Sequence, residues 1–438
     1  MTILNESGVA DTLSPLHALS GLAEKVPGAV IAVIGTRAEA FLAQSLDAAI
    51  PDRSPAIRRG PRVVFVVLDP AHPPEGGRIA SRLIAEVAGI SGTRMLLLVA
   101  GRSAELLGVD ANFEARLASR RLDIPAAAVA LDPDGNSPGS LSTDLEDRAL
   151  AALVSLCPTG TSENLELPAT APKRGGLLGN FLGRGREETR SGHRKAVVLL
   201  GSSGEELARE LERAGVEVAG SVPGPDATVL PDIGEGTIVA LTDPHLTAAS
   251  RAAEERGAQI VRTLTPIGVD GTARFIQDAA AAAGTVANEL GRAREAWEEM
   301  EHLRNRVRGK RVFFAGDTGY EIPLARFLAD AGAVVLEVGA PRLDRRGLGA
   351  EIQAMGADVD IVQYPDWRGQ IQRADETRPD VVITSPGLYA PLVARGHLCR
   401  CARDFLTAGP HGYEGARRIL ETLIRTFERA ELLDSVNL

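Results

Sequence analysis

Along the chain, short uninterrupted apolar runs alternate with longer stretches rich in Ala, Glu and Arg. Ala29–Ile34 (AVIAVI), Val63–Leu68 (VVFVVL) and Met95–Val99 (MLLLV) are apolar at every position, without the in–out alternation of a half-exposed strand. Such runs suit strands covered on both faces, as in a parallel sheet. Arg78–Val87, between two of them, has a helical pattern. This strand–helix–strand series predicts a doubly wound α/β unit.

The pattern stops at Pro158–Gly192, which is rich in Gly, Thr, Ser and Pro and contains the basic segment Lys173–Arg186 (KRGGLLGNFLGRGR). That composition reads as a linker or long surface loop. A membrane or anion contact is the lesser reading, because the glycines would weaken an amphipathic helix. The series resumes with strands at Ala196–Leu200 and Thr237–Leu241 and a helix at Glu205–Ala214 that Gly215 ends. Val286–Val307 predicts one long helix, with Val286, Leu290, Ala293, Trp297, Met300 and Val307 as its apolar stripe and Arg304 interrupting it. Such a stripe packs between domains or against a partner. A third series begins at Gly309, with strands at Val312–Ala315, Val334–Val338, Ile361–Val362 and Val381–Thr384 and helices near Ile322–Ala331 and Leu348–Met355. The fold class read from this pattern is α/β, with three Rossmann-like parallel-sheet domains at residues 1–160, 194–285 and 309–438. A linker at 161–193 and a connecting helix at 286–308 join them.

Composition agrees with a multidomain globular chain. Its 438 residues exceed what one core organises, and 44% are hydrophobic and 24% charged. The net charge of -10, from 58 acidic and 48 basic residues, argues against a nucleic-acid backbone as partner. No apolar run approaches the ~20 residues of a membrane span. The first residues lack a basic start followed by an apolar core, so a cytoplasmic location is expected.

Local motifs for chemistry are sparse. The turn Gly201–Gly204 between strand and helix could cradle a phosphate with its amides, although an ordinary βα turn is the plainer reading. The three cysteines are Cys157, Cys399 and Cys401. Cys399 and Cys401 could bind a soft metal, but two thiolates without a nearby third ligand make a weak site. Reduced, packed thiols are the simpler expectation.

The C-terminal third is more distinctive. Gly309–Ala340 (GKRVFFAGDTGYEIPLARFLADAGAVVLEVGA) reads as strand, acidic turn, helix and strand. After it come Gln370–Arg373 (QIQR), Arg378–Thr384 (RPDVVIT), Pro391–His397 (PLVARGH) and Pro410–Tyr413 (PHGY). With Thr265–Gly268 (TPIG) and Gly271-Thr272, these segments resemble the N subunit of light-independent protochlorophyllide reductase, a nitrogenase component-1 relative. The resemblance covers most of the chain and is strongest after residue 260.

It implies a subunit of a heterotetramer with a homologous B-type subunit, served by a separate ATP-binding iron–sulfur protein. Together they would reduce a ring double bond of a tetrapyrrole in bacteriochlorophyll biosynthesis. It also implies a [4Fe–4S] cluster, but the family's three ligand cysteines fall here on Ser14, Glu39 and Arg102. Serine and glutamate offer hard oxygen and arginine offers no ligand, so no cluster bound by this chain's own cysteines is expected. Two readings stay open: a divergent N-type subunit still in a reductase complex, or a cluster-free paralogue acting as scaffold, assembly or tetrapyrrole-binding protein. A chlorophyllide reductase subunit is a third. For a tetrapyrrole, the candidate contacts are Tyr389, Leu392 and His397, just past a strand's carboxyl end. The family's Asn and Glu in this segment, and an aromatic after it, are missing.

Overall fold

The computed structural model describes residues 2–8, 18–41, 62–71, 78–87, 90, 92–130, 142–159, 195–201, 205–341, 343–356 and 359–436. The linker expected at 161–193, Ser14 and most of the 201–204 turn lie outside the described residues.

Each apolar series builds its own all-parallel sheet. The first strand of the chain, β1 (Thr2–Asn5), does not enter the sheet that follows it. β2 (Ala29–Thr36), β3 (Val63–Leu68), β4 (Met95–Ala100) and β5 (Ala126–Ala130) form a sheet in the order β3-β2-β4-β5. β6 (Val197–Leu200), β7 (Val218–Val222), β8 (Ile238–Leu241) and β9 (Gln259–Val261) form a second, ordered β7-β6-β8-β9. β10 (Arg311–Ala315), β11 (Val334–Ala340), β12 (Asp360–Gln363), β13 (Val381–Thr384) and β14 (Cys399–Cys401) form the third, ordered β1-β12-β11-β10-β13-β14. The chain reverses direction across each sheet between β2 and β4, β6 and β8, and β10 and β13. Those are the switch points at which doubly wound sheets open a crevice at their carboxyl ends.

Residues 2–5, counted by sequence with the first domain, thus belong to the third sheet, where Thr2–Asn5 pair with Asp360–Gln363. Glu6 fixes this return by accepting from Asp366 N at 2.6 Å and Arg373 Nη1 at 2.7 Å. The short edge strand is largely exposed and shows no buried-strand pattern.

The middle sheet is buried on both faces because successive side chains alternate. Val198, Leu200 and Val239 share a core with the first sheet's Ile31, Val33 and Leu97. Val197, Leu199 and Ile238 share one with the third sheet's Val312, Phe314 and Val338.

The helix expected over Val286–Val307 begins at Leu290 and breaks at Met300 into Leu290–Glu299 and Glu301–Val307. Val286 is 95% exposed and Leu290 74%. The buried face is instead Ala293, Ala296, Met300, Leu303 and Val307, a 3-4-3-4 spacing. Trp297 stacks on Phe327 with ring centres 6.0 Å apart, and Arg304 sits 4.7 Å over the Trp297 ring. The arginine that broke the stripe therefore covers its aromatic member.

A buried ion pair of the third domain reaches across to the second. Arg326, on helix Glu321–Asp330, is 1% exposed. Its Nε donates to Glu351 Oε2 at 2.5 Å, and its Nη2 donates to the Ile267 carbonyl at 2.8 Å and the Thr265 carbonyl at 3.3 Å. Glu351 Oε1 accepts from Thr265 N at 2.6 Å. Two glycines leave the room: a Cβ on Gly268 (φ +78°) would lie 2.2 Å from the Phe327 ring, and one on Gly271 2.4 Å from Arg326 Nη2. Arg326 Nη1 also pairs with the partly exposed Asp330 at 3.2 Å. Glu351→Ala should cost about 3 kcal/mol in urea unfolding, because it leaves the buried guanidinium with Asp330 as its one remaining counter-charge. A loss below ~1 kcal/mol would show that this pair does not hold the two domains together.

Candidate functional site

The sequence-predicted cluster edge lies at the carboxyl ends of β2 and β4, which are neighbours with Ile34 paired to Ala100. β2 runs into a helical turn at 37–41 carrying Glu39, and β4 into Arg102–Leu106. Two of the three positions are thus brought together. Glu39 accepts from Thr36 N at 2.7 Å, Thr36 Oγ1 at 3.1 Å and Ser103 N at 3.5 Å, and also from Ser103 Oγ. Burial alone would raise its carboxyl, but these hydrogen bonds hold it below the usual range. Arg102 is exposed.

A thiolate-held [4Fe–4S] cluster does not fit this edge. Glu39 Oε2 is taken up by protein donors, its Oε1 is a hard oxygen, and Arg102 carries only N–H donors. The cysteines lie elsewhere. Cys157 is buried after helix Ser142–Leu156, with its thiol toward the Leu153 carbonyl, and Cys399 is buried in β14. Burial pushes both thiols up to about 12, and also raises Cys401. They stay protonated at neutral pH. Among the described residues, no group of three or more His, Cys, Asp or Glu is placed to hold a metal ion.

The residues expected to meet a tetrapyrrole are not brought together in one pocket. Tyr389 is 43% exposed on helix Pro386–Ala394. Leu392, 1% exposed, is turned into a core with Phe313, Ile371 and Val382. His397 is buried, with Nε2 2.8 Å from Asp375 Oδ1, which ties the segment after this helix to helix Trp367–Thr377.

A buried polar group forms where the three domains meet, and sequence reading did not assemble it. Asp243, just past β8, is 2% exposed. Its Oδ1 accepts from Tyr320 OH at 2.6 Å and lies 2.9 Å from His411 Nε2; its Oδ2 accepts from Thr242 Oγ1 at 3.0 Å. Burial opposes its charge, yet His411, with Lys25 and His245, holds the carboxyl well below the usual range. The first domain supplies Lys25, paired with Glu146, and Asp147, which accepts from Ala248 N at 2.7 Å and Ala249 N at 2.8 Å. At the end of β10, Asp317 and Glu321 are each 1% exposed. Glu321 Oε1 accepts from Thr318 N and Oγ1, both at 2.7 Å, while Oε2 has no hydrogen-bond partner among the described residues. Burial, with Asp317 nearby, pushes the Glu321 carboxyl up to about 7. The usable signals were an Asp one residue past an apolar run (Val239-Ala-Leu-Thr-Asp243), the acidic turn Asp317–Glu321, and His411 in the PHGY segment.

The model of the family "Nitrogenase component 1 type Oxidoreductase" matches residues 76–428. The chain is 30% identical to the light-independent protochlorophyllide reductase subunit N of Roseiflexus sp. (strain RS-1), covering 99% of this chain and 95% of that relative. It is 28% identical to the subunit N of Chloroflexus aurantiacus, over 99% of this chain and 89% of the relative. A solved nitrogenase Cp1 structure at pH 6.5 matches in fold with a TM-score of 0.66 at 14% identity, over 98% of this chain and 94% of that one.

A titration test follows from Glu321. Because its folded value lies above the ordinary 4.5, the folded state holds the proton longer, and its ionisation lowers stability as pH rises from about 4.5 through about 7. Glu321→Gln keeps an acceptor for Thr318 and removes that cost. Urea midpoints should therefore shift in favour of Glu321→Gln between pH 5 and pH 8, by on the order of 3 kcal/mol at most. An equal difference at both pH values would show that Glu321 does not titrate in this window.

Proposed function

The chain belongs to the nitrogenase component 1 type oxidoreductase family, and from that premise we propose that it works as a divergent N-type subunit of a light-independent protochlorophyllide reductase-like complex without a cluster of its own. The observation that carries this reading is the full-length match to subunits of that name, which spans all three sheets. The reaction in view is ATP-dependent reduction of a tetrapyrrole ring double bond in bacteriochlorophyll biosynthesis. The proposed partners are a homologous B-type subunit and an ATP-binding iron–sulfur protein.

Within such a complex, this chain's residues hold and position rather than carry electrons through thiolates. The Arg326–Glu351 pair fixes the second domain on the third, and Asp243 with Tyr320 and His411 fills their junction. Tyr389 is the exposed residue among those assigned to a tetrapyrrole. The proposed contact therefore falls on the outer face of helix Pro386–Ala394, with Leu392 and His397 supporting that helix from beneath. A cytoplasmic site of action goes with this reading; among the described residues no helix is long and apolar enough to cross a membrane.

Co-expression with a homologous B-type chain, followed by multi-angle light scattering, tests the assignment. The expected species contains two copies of each chain. A strict monomer in the presence of that chain and the ATP-binding protein would overturn it.

A further inference from the structure

We propose that Glu39 is a protein-made crosslink between the ends of β2 and β4, which lets this edge keep its shape without a metal. The inference rests on the family reading only for the alignment that puts a thiolate at position 39.

At a switch point, neighbouring strands pair up to their ends and their loops then part, which leaves a crevice for a bridging group. Here Gly101 N still donates to the Ile34 carbonyl at 2.8 Å, and beyond it the two chains diverge into separate helical turns. The Glu39 carboxylate occupies the gap. It rises from the β2 side, receives Thr36 N and Oγ1 from the last residue of β2, and receives Ser103 N and Oγ from the helical turn after β4. Thr36 N also lies 3.1 Å from Ser103 Oγ, so the two loops are bonded directly as well.

The flanking glycines fit this use of space. A Cβ at Gly35 would come within 2.5 Å of Glu39 Oε2, and one at Gly101 within 2.8 Å of Oε1. Any side chain at either position would displace the carboxylate. Three of the four donors, Thr36 N, Thr36 Oγ1 and Ser103 Oγ, converge on Oε2, which an iron ion could reach only by breaking those bonds. Oε1, with Ser103 N at 3.5 Å, offers a single hard oxygen with no thiolate beside it. Ionisation at neutral pH strengthens each of these hydrogen bonds, since those to a charged acceptor are the stronger kind.

The test uses the purified full-length chain as wild type, Glu39→Ala and Ser103→Ala. Amide hydrogen exchange at residues 36–41 and 101–106 should speed up about tenfold in Glu39→Ala, the loss expected for charge-assisted hydrogen bonds. Ser103→Ala should raise it less in the same two segments, and exchange in β10 and β13 should not change. Anaerobic incubation of the wild type with iron and sulfide, then desalting, should leave no bound iron and an unchanged Tm. Wild-type exchange at both segments in Ser103→Ala and in any folded Glu39→Ala would overturn the crosslink, as would about four irons retained by the wild type with a rise in Tm. Should Glu39→Ala not fold, Ser103→Ala and the iron measurement decide. None of these readouts involves a partner chain, so failure to form the proposed complex would leave them unaffected.

Discussion

A guanidinium withdrawn from water must find its partners in the protein, and Arg326 sets the arrangement of this molecule by that requirement. Its counter-charge, Glu351, lies on a helix of the third domain, while the carbonyls of Thr265 and Ile267 come from the segment leading into helix Gly268–Ala282 of the second. Removing Glu351 would leave the charge to Asp330, 3.2 Å from Nη1 and partly in solvent, at a cost of about 3 kcal/mol. Apolar faces can slide with modest loss, but this set of donors and acceptors has one register. With that register fixed, the end of β8 meets the turn after β10, and Tyr320 reaches Asp243 across 77 positions of sequence. The polar junction is a consequence of the docking.

β2 and β4 were legible because burial on both faces leaves a strong mark: a run of five or six apolar residues has few other uses in a chain of this composition. The run at β3 led to the same expectation, yet β3 lies at the sheet edge, only partly buried and with Val67 41% exposed. β1 is mostly exposed and pairs with a strand more than 350 residues away, so neither composition nor neighbourhood announces it. The stripe at 286–307 was misread at its start because Val286 and Leu290 are apolar but face solvent. A periodic pattern reports what could be buried, and tertiary packing selects which part is.

The candidate sites show the same boundary between local and non-local information. Position 39 could be read as a carboxylate where the resemblance expects a thiolate. Whether that carboxylate stood open to a metal or was already satisfied depended on Ser103, which only the pairing of β2 with β4 brings near. His397 and Leu392 were placed in a pocket by their position after β13, yet each is turned inward by partners on another helix, Asp375 and Ile371. The junction escaped altogether, since Lys25, Asp243, Tyr320 and His411 are ordinary residues until three domains bring them together.

The motifs that carried the resemblance can now be assigned physical work. TPIG supplies the carbonyls and the turn that Arg326 requires, Gly271 leaves space for its guanidinium, and the segment EIPLARFL contains Arg326 itself and the Phe327 that Gly268 must clear. These are constraints on docking, and a chain that keeps the three-domain body has to satisfy them whatever chemistry it performs. The edge of the first domain is under no such constraint. Its strands are held by their own pairing and by the cores on either face. A residue at the loop ends can therefore change from metal ligand to hydrogen-bond acceptor without disturbing the rest. A strong likeness in one part of the chain and a changed set of donors in another are what one expects when fold and chemistry are written in different residues.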